Sequence, residues 1–149
     1  MKKIKILLVM VLTFLTVGCG EKPKVVAEPS DFLVAATELG YDVSDHTSGF
    51  AYSEATYLID NSNFYVIYVK GKKKYDVEGL FLDECKNIYA AAKEGYTKKT
   101  NGKDNWVSLE VKDDENLYYA IYVEDTYLYL KVAIANADQA YELLDKIGY

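Results

Sequence analysis

Residues 116–134, NLYYAIYVEDTYLYLKVAI, decide how this chain folds, and they hold five of its fifteen tyrosines. A two-residue turn at Glu124-Asp125 makes them one β-hairpin. Val123 then faces Thr126, Tyr122 faces Tyr127, Ile121 faces Leu128, Ala120 faces Tyr129, Tyr119 faces Leu130 and Tyr118 faces Lys131. Side chains alternate between faces along a strand. One face therefore collects Tyr119, Ile121, Val123, Leu128 and Leu130. The other collects Tyr118, Tyr122, Tyr127, Tyr129 and Lys131. A slip of one residue would mix the two sets, so the pattern itself specifies the register.

Working outward, a helix is expected to open at Asn136, with Gln139 three residues on in the manner of a capping box. Ala140, Leu143, Leu144 and Ile147 form its apolar stripe, and Gly148 ends it. Upstream, Trp106–Lys112 reads as a strand that turns through Asp113-Asp114-Glu115. Residues 93–105, KEGYTKKTNGKDN, read as a polar loop. Val77 to about Glu94 reads as a helix capped by Asp76, with Val77, Phe81, Cys85, Ile88 and Ala92 on one stripe. A basic loop, Lys70 to Lys74, precedes it. A first hairpin runs Ala55–Asp60 and Asn63–Lys70, turning at Asn61-Ser62. Its second strand alternates Phe64/Val66/Tyr68 with Tyr65/Ile67/Val69, so both faces are partly apolar. Residues 40–50 read as a loop, and a first helix starts at Ser30 or Asp31 and stops at Gly40.

The expected fold is α+β in two layers, in the order α-β-β-α-β-β-β-α. Short connections within each strand group make a five-stranded, mainly antiparallel sheet. Three amphipathic helices on one face of it bury their stripes most simply. The aliphatic face of the hairpin then lies under the helices, and the tyrosines look outward.

The N-terminus reads as a targeting segment. Lys2, Lys3 and Lys5 precede an apolar run from Ile6 to Leu15, shorter than the roughly 20 residues a spanning helix needs. Thr16-Val17-Gly18-Cys19 resembles a bacterial lipobox, with Thr16 where that motif usually has leucine. The resemblance implies removal of residues 1–18 as a lipoprotein signal peptide and a diacylglycerol and palmitate anchor on Cys19. Residues 19–29 then form a lipidated tether and 30–149 a single domain. Ten extended residues reach at most about 35 Å, which places that domain close to the outer face of the cell membrane.

The part after the cleavage point carries 14 lysines, 23 carboxylates and no arginine, a net charge of −9. Such a balance disfavours nucleic acid, whose affinity rests on cationic contacts to phosphate. If Cys19 carries lipid, Cys85 has no partner, which excludes a disulfide framework and a cysteine zinc site.

With these elements in place the chain resembles short membrane lipoproteins of Gram-positive gut bacteria. The resemblance rests on the lipobox, Gly40-Tyr41-Asp42-Val43-Ser44-Asp45 after the first helix, the aromatic strand Phe64 to Val69, the 77–94 helix, the tyrosine hairpin at 117–134 and the closing Gly148-Tyr149. It implies location and fold. That group has no established activity, so no catalytic residue follows from it.

Tyr118, Tyr122, Tyr127 and Tyr129, with Lys131 at the edge, are the candidate binding residues, because tyrosine offers contact area at low entropic cost. Cross-strand sheet stabilisation is the structural alternative. The Lys70–Lys74 loop suits anionic headgroups, or is a solvated turn. Asp113-Asp114-Glu115 and Asp60-Asn61-Ser62-Asn63 lack the glycine and distal glutamate of a calcium loop and read as turns. His46 is the one histidine and reads as a loop residue. No cofactor motif and no metal set is apparent. The reading is a non-catalytic extracytoplasmic binding module for an envelope glycan or protein partner. The alternatives are an envelope enzyme built on a carboxylate pair and an inhibitor-type partner of a secreted enzyme.

Overall fold

The computed structural model describes residues 22–149, so the expected signal segment, the lipobox-like motif and Cys19 lie outside the described residues. The described residues form an α+β fold with a seven-stranded antiparallel sheet and three α-helices. The elements are α1 (Pro29–Glu38), β1 (Ser44–Asp45), β2 (Ser53–Asn61), β3 (Phe64–Gly71), α2 (Lys74–Ala91), β4 (Thr97–Lys103), β5 (Trp106–Lys112), β6 (Asn116–Val123), β7 (Thr126–Ala133) and α3 (Ala137–Lys146). The strand order is β1-β2-β3-β7-β6-β5-β4. Two meanders thus meet at the centre, where β3 pairs with β7 from Phe64↔Val132 to Lys70↔Thr126.

The tyrosine hairpin has the expected register: Val123↔Thr126, Tyr122↔Tyr127 and so on to Tyr118↔Lys131. Its turn is tight enough to hold Glu124 at φ 53. A two-residue hairpin matched to strand twist needs that left-handed conformation.

Two expectations are corrected. The sheet has seven strands instead of the expected five, with β1 and β4 in segments whose sequence predicts loops. Both are edge strands. β4, TKKTNGK, has no apolar side chain and no buried residue, so hydrophobic alternation is silent there. A polar, lysine-bearing edge is also how sheets avoid pairing with other chains. The order is therefore α-β-β-β-α-β-β-β-β-α.

The second correction concerns the layers. Helices cover both faces of the sheet, with α1 and α3 on one and α2 on the other. The cause is topological. The chain leaves β3 at mid-sheet and re-enters at the far edge, β4, so α2 must cross over a face. The face it crosses is the phenolic one. Gly71 permits the sharp entry, since a Cβ there would sit 2.9 Å from the Val77 Cγ1.

On the first face, Ile121, Leu128, Leu130, Val66 and Tyr68 pack against Phe32, Ala36, Leu143 and Leu144. On the second, Val77, Phe81, Cys85 and Ile88 of α2 pack on Val69, Leu109, Val111, Tyr118, Ala120 and Tyr127. Each fully buried side chain of this size contributes about 1.5–3 kcal/mol. Both layers therefore contribute to the stability of the sheet.

Residues 22–28, read as part of a loose tether, are docked along the body. The Trp106 indole donates to the Lys22 carbonyl (3.1 Å), and Asn105 pairs with both backbone groups of Lys24 (3.2 and 2.7 Å). Ala27 is buried. Its N–H donates to the Tyr149 hydroxyl (3.2 Å), and its carbonyl accepts from Tyr68 (2.6 Å). The segment then enters α1 through a capping box, Asp31 accepting from the Glu28 N–H at 2.8 Å. Neither Ser30 nor a bare Asp31 is the cap. Backbone groups that no periodicity marks find partners in aromatic and amide side chains far along the chain.

Candidate functional site: a tyrosine groove beside α2

The stripe Val77, Phe81, Cys85 and Ile88 holds α2 to the sheet. Leu80, Glu84 and Asn87, spaced i, i+4 and i+7, form the flank of the helix beside that stripe. Opposite them stand Tyr65, Ile67 and Val69 of β3 and Tyr127 and Tyr129 of β7. Together with Phe50 and Tyr52 they line a groove of about 440 Å³. Small-molecule sites commonly run from about 300 to 1,000 Å³. The Tyr65 and Tyr129 rings lie 6.1 Å apart at 59°. Phe50 meets Tyr52 edge-on at 5.6 Å.

Electrostatics set the chemistry of the groove. Burial raises the Glu84 carboxyl above its ordinary value of 4.5, against a hydrogen bond from Asn87 that lowers it. Burial also raises the phenols of Tyr65, Tyr127 and Tyr129, with the Glu84 charge adding to each. At neutral pH these hydroxyls are therefore protonated donors. The groove offers aromatic walls, O–H donors, and carboxylate and amide acceptors. That set matches a polyhydroxylated ligand, whose C–H faces stack on rings while its hydroxyls bond to polar groups.

The five residues nominated from sequence are not one open surface. Tyr118 and Tyr127 are each 3% exposed, beneath α2. Tyr122 is half-buried and edge-on to Phe81 at 5.3 Å. Lys131 is exposed, with its amine 5.8 Å from the Tyr118 ring centroid. Only Tyr127 and Tyr129 reach the groove, while Tyr118 and Tyr122, one strand over on β6, do not line it. The open phenolic sheet face is thus overturned by the position of α2. Tyr52, Tyr65, Glu84 and Asn87 also line the groove, without a sequence motif that marks them. The alternation of β3 already placed Tyr65 with Ile67 and Val69, but the β3–β7 pairing that seats it beside Tyr129 has no local signal.

A second cavity, about 370 Å³, lies on the other face between β5 and α3. Glu110 and Lys24, two of its charged groups, are engaged locally. Tyr141 donates to Glu110 (2.9 Å), Lys112 pairs with Glu110 (3.2 Å), and the Lys24 amine sits 4.8 Å from the Trp106 ring centroid. His46 approaches the Ser44 hydroxyl at 3.1 Å, but that hydroxyl donates to the Leu58 carbonyl at 3.2 Å. The hydroxyl thus has two acceptors in reach, and the pair is exposed, without a third group among the described residues to orient the imidazole. The Cys85 thiol is pushed up to about 12 by burial, then by the Glu84 charge. Among the described residues no group of three or more His, Cys, Asp or Glu side chains is placed to hold a metal ion, and no helix is long and apolar enough to cross a membrane.

No protein-family model matches the chain, and no curated protein is similar to it. Among solved structures, a GTP binding regulator from Thermotoga maritima is similar at a TM-score of 0.47 and 9% identity, over 78% of this chain and 87% of that chain.

Proposed function

We propose that this chain is a lipoprotein anchored through Cys19 on the outer face of the cell membrane, and that its domain binds an envelope glycan without chemistry in the groove beside α2. The observation that carries the binding half is the facing of Tyr65 and Tyr129 across from Glu84 and Asn87. The anchor half is carried by the charged segment, the apolar run and the Thr16–Cys19 motif.

A second reading, an envelope enzyme built on a carboxylate pair, is favoured by Asp83 and Glu84 both lining the groove. Successive helical residues project about 100° apart. Adjacent acids therefore do not flank a scissile bond from two sides as glycoside hydrolysis requires. Binding ranks first for that reason.

The test is calorimetric titration of the mature protein with soluble cell-wall glycan fragments. Wild type should bind, and Tyr129→Ala should lose at least about tenfold in affinity while remaining folded. Absence of heat up to millimolar fragment, or equal affinity in the variant, rejects the groove as the site. Turnover of the fragments that Glu84→Gln abolishes would favour the enzyme. For the anchor, a Cys19→Ala variant should lose radiolabelled palmitate and leave the membrane fraction. Retention there without label rejects the anchor.

A further inference from the structure

The turns at the two ends of the sheet differ sharply in charge. One end holds residues 22–24, the 71–74 loop, the 103–105 turn and the 124–125 turn. These are neighbours: Gly71 N–H donates to Asp125 O (2.8 Å), Glu124 N–H to Asn105 O (2.8 Å), and Asn105 pairs with Lys24. They carry six lysines (Lys22, Lys24, Lys72, Lys73, Lys74 and Lys103) against three carboxylates (Asp104, Glu124 and Asp125). Lys70 bridges Asp125 at 2.9 Å and the nearby Glu28 at 3.4 Å, which leaves the lysines in excess at this end. The opposite end holds residues 61–63, 93–96, 113–115 and 134–138, with Lys93 alone against five carboxylates. Lys22, Lys72, Lys73 and Lys103 are exposed and have no ion-pair partner among the described residues.

The position where the chain enters the domain lies at the basic end. Lys22 and Lys24 are fastened to Trp106 and Asn105 there. Only two residues separate Lys22 from Cys19, and three residue steps reach at most about 11 Å. A lipid on Cys19 therefore brings this end, and no other, against the bilayer. Within a Debye length of about 8–10 Å an anionic surface attracts lysines.

We propose that the turns bearing Lys22, Lys72, Lys73 and Lys103 form a basic foot that stands the domain upright on an anionic phospholipid surface, with the acidic 113–115 end pointing away. The inference rests on the Cys19 anchor, and it absorbs the Lys70–Lys74 loop that the groove leaves without a role. Docking of residues 22–28 converts the tether from a swivel into a short stalk.

The experiment is hydrogen–deuterium exchange on the lipidated mature protein in nanodiscs of phosphatidylglycerol or of phosphatidylcholine. Peptides covering 71–74 and 103–105 should exchange at least about fivefold more slowly on phosphatidylglycerol, with 113–115 unchanged. About 0.5 M salt should erase the difference. Replacing Lys22, Lys72, Lys73 and Lys103 together by Gln should also erase it. Equal exchange on both lipids, protection at 113–115, or a difference that survives the four substitutions overturns the foot. Intact mass of the same sample reports the anchor separately, because an unmodified Cys19 rejects the lipoprotein reading. Sedimentation of that unlipidated protein with phosphatidylglycerol vesicles then judges the foot alone. Each lysine is worth about fivefold in partition, so the four-lysine variant should lose on the order of a hundredfold or more. No loss overturns the proposal.

Discussion

Replacing Tyr127 tests the layer arrangement directly. An outward-facing tyrosine on a wet sheet contributes roughly 0.2–1 kcal/mol through its cross-strand partner. Tyr127 is instead 3% exposed and packs with Val69, Phe81 and Cys85. Removing a buried aromatic ring costs about 3–5 kcal/mol, through lost transfer energy and the cavity left behind. That is a large share of the roughly 5–15 kcal/mol that holds a domain folded. With a urea m-value of about 1–3 kcal/mol/M, Tyr127→Ala should lower the unfolding midpoint by on the order of 1–5 M at unchanged m. Tyr127→Phe keeps the ring and should change stability by less than about 1 kcal/mol. Equilibrium urea unfolding followed by far-UV circular dichroism measures all three proteins. A loss below about 1 kcal/mol for Tyr127→Ala would show that α2 does not cover this ring and would refute the two-sided layering.

The other expected outcomes concern the docked 22–28 segment, the groove carboxylate and the thiol. Tyr149→Phe removes a hydroxyl that accepts the Ala27 N–H and bonds Thr126. At about 0.5–1.5 kcal/mol per hydrogen bond, amide exchange at Ala27 should rise by on the order of 5- to 100-fold, and unchanged exchange would argue that packing alone holds residues 22–28. Glu84 has a folded pKa raised above 4.5. Its contribution is therefore complete below that pH and is lost as pH climbs through the folded value. Glu84→Gln should raise the melting temperature relative to wild type at pH 7 and not at pH 4, and a difference independent of pH would refute the assignment. Cys85, 9% exposed with its thiol pushed up to about 12, should react with iodoacetamide at pH 8.5 only as fast as the domain opens. Labelling at the rate of a free thiol would count against its burial under α2.

The groove and the charged foot depend on the same event, the crossing of α2 over the phenolic face. That crossing removes Tyr118 and Tyr127 from solvent. It also leaves a trough along the flank of the helix where Tyr65 and Tyr129 remain half-exposed. Where α2 begins, the loop from Lys72 to Lys74 is pressed beside the 124–125 turn. One packing choice therefore places both the candidate ligand contacts and the basic end of the domain.

The hairpin at 116–134 was legible residue by residue, because two-fold alternation over eight positions a side admits one register only. The stripe of α2 from Val77 to Ile88 and the stripe of α3 from Ala140 to Ile147 were legible for the same reason: a local period fixes which side chains share a face. β4 was not, since an edge strand of lysine, threonine and asparagine buries nothing and leaves no period to read. Nor was the partition of helices between faces. Val77, Phe81, Cys85 and Ile88 would bury equally well on either side of the sheet, and tyrosine is amphipathic enough to serve on a covered face or a wet one. That decision belongs to connectivity, which sends the chain from the central β3 to the far edge, and to the long-range pairing of β3 with β7. Neither leaves a trace in neighbouring residues, so the sequence names the faces and only the tertiary structure says which of them is roofed.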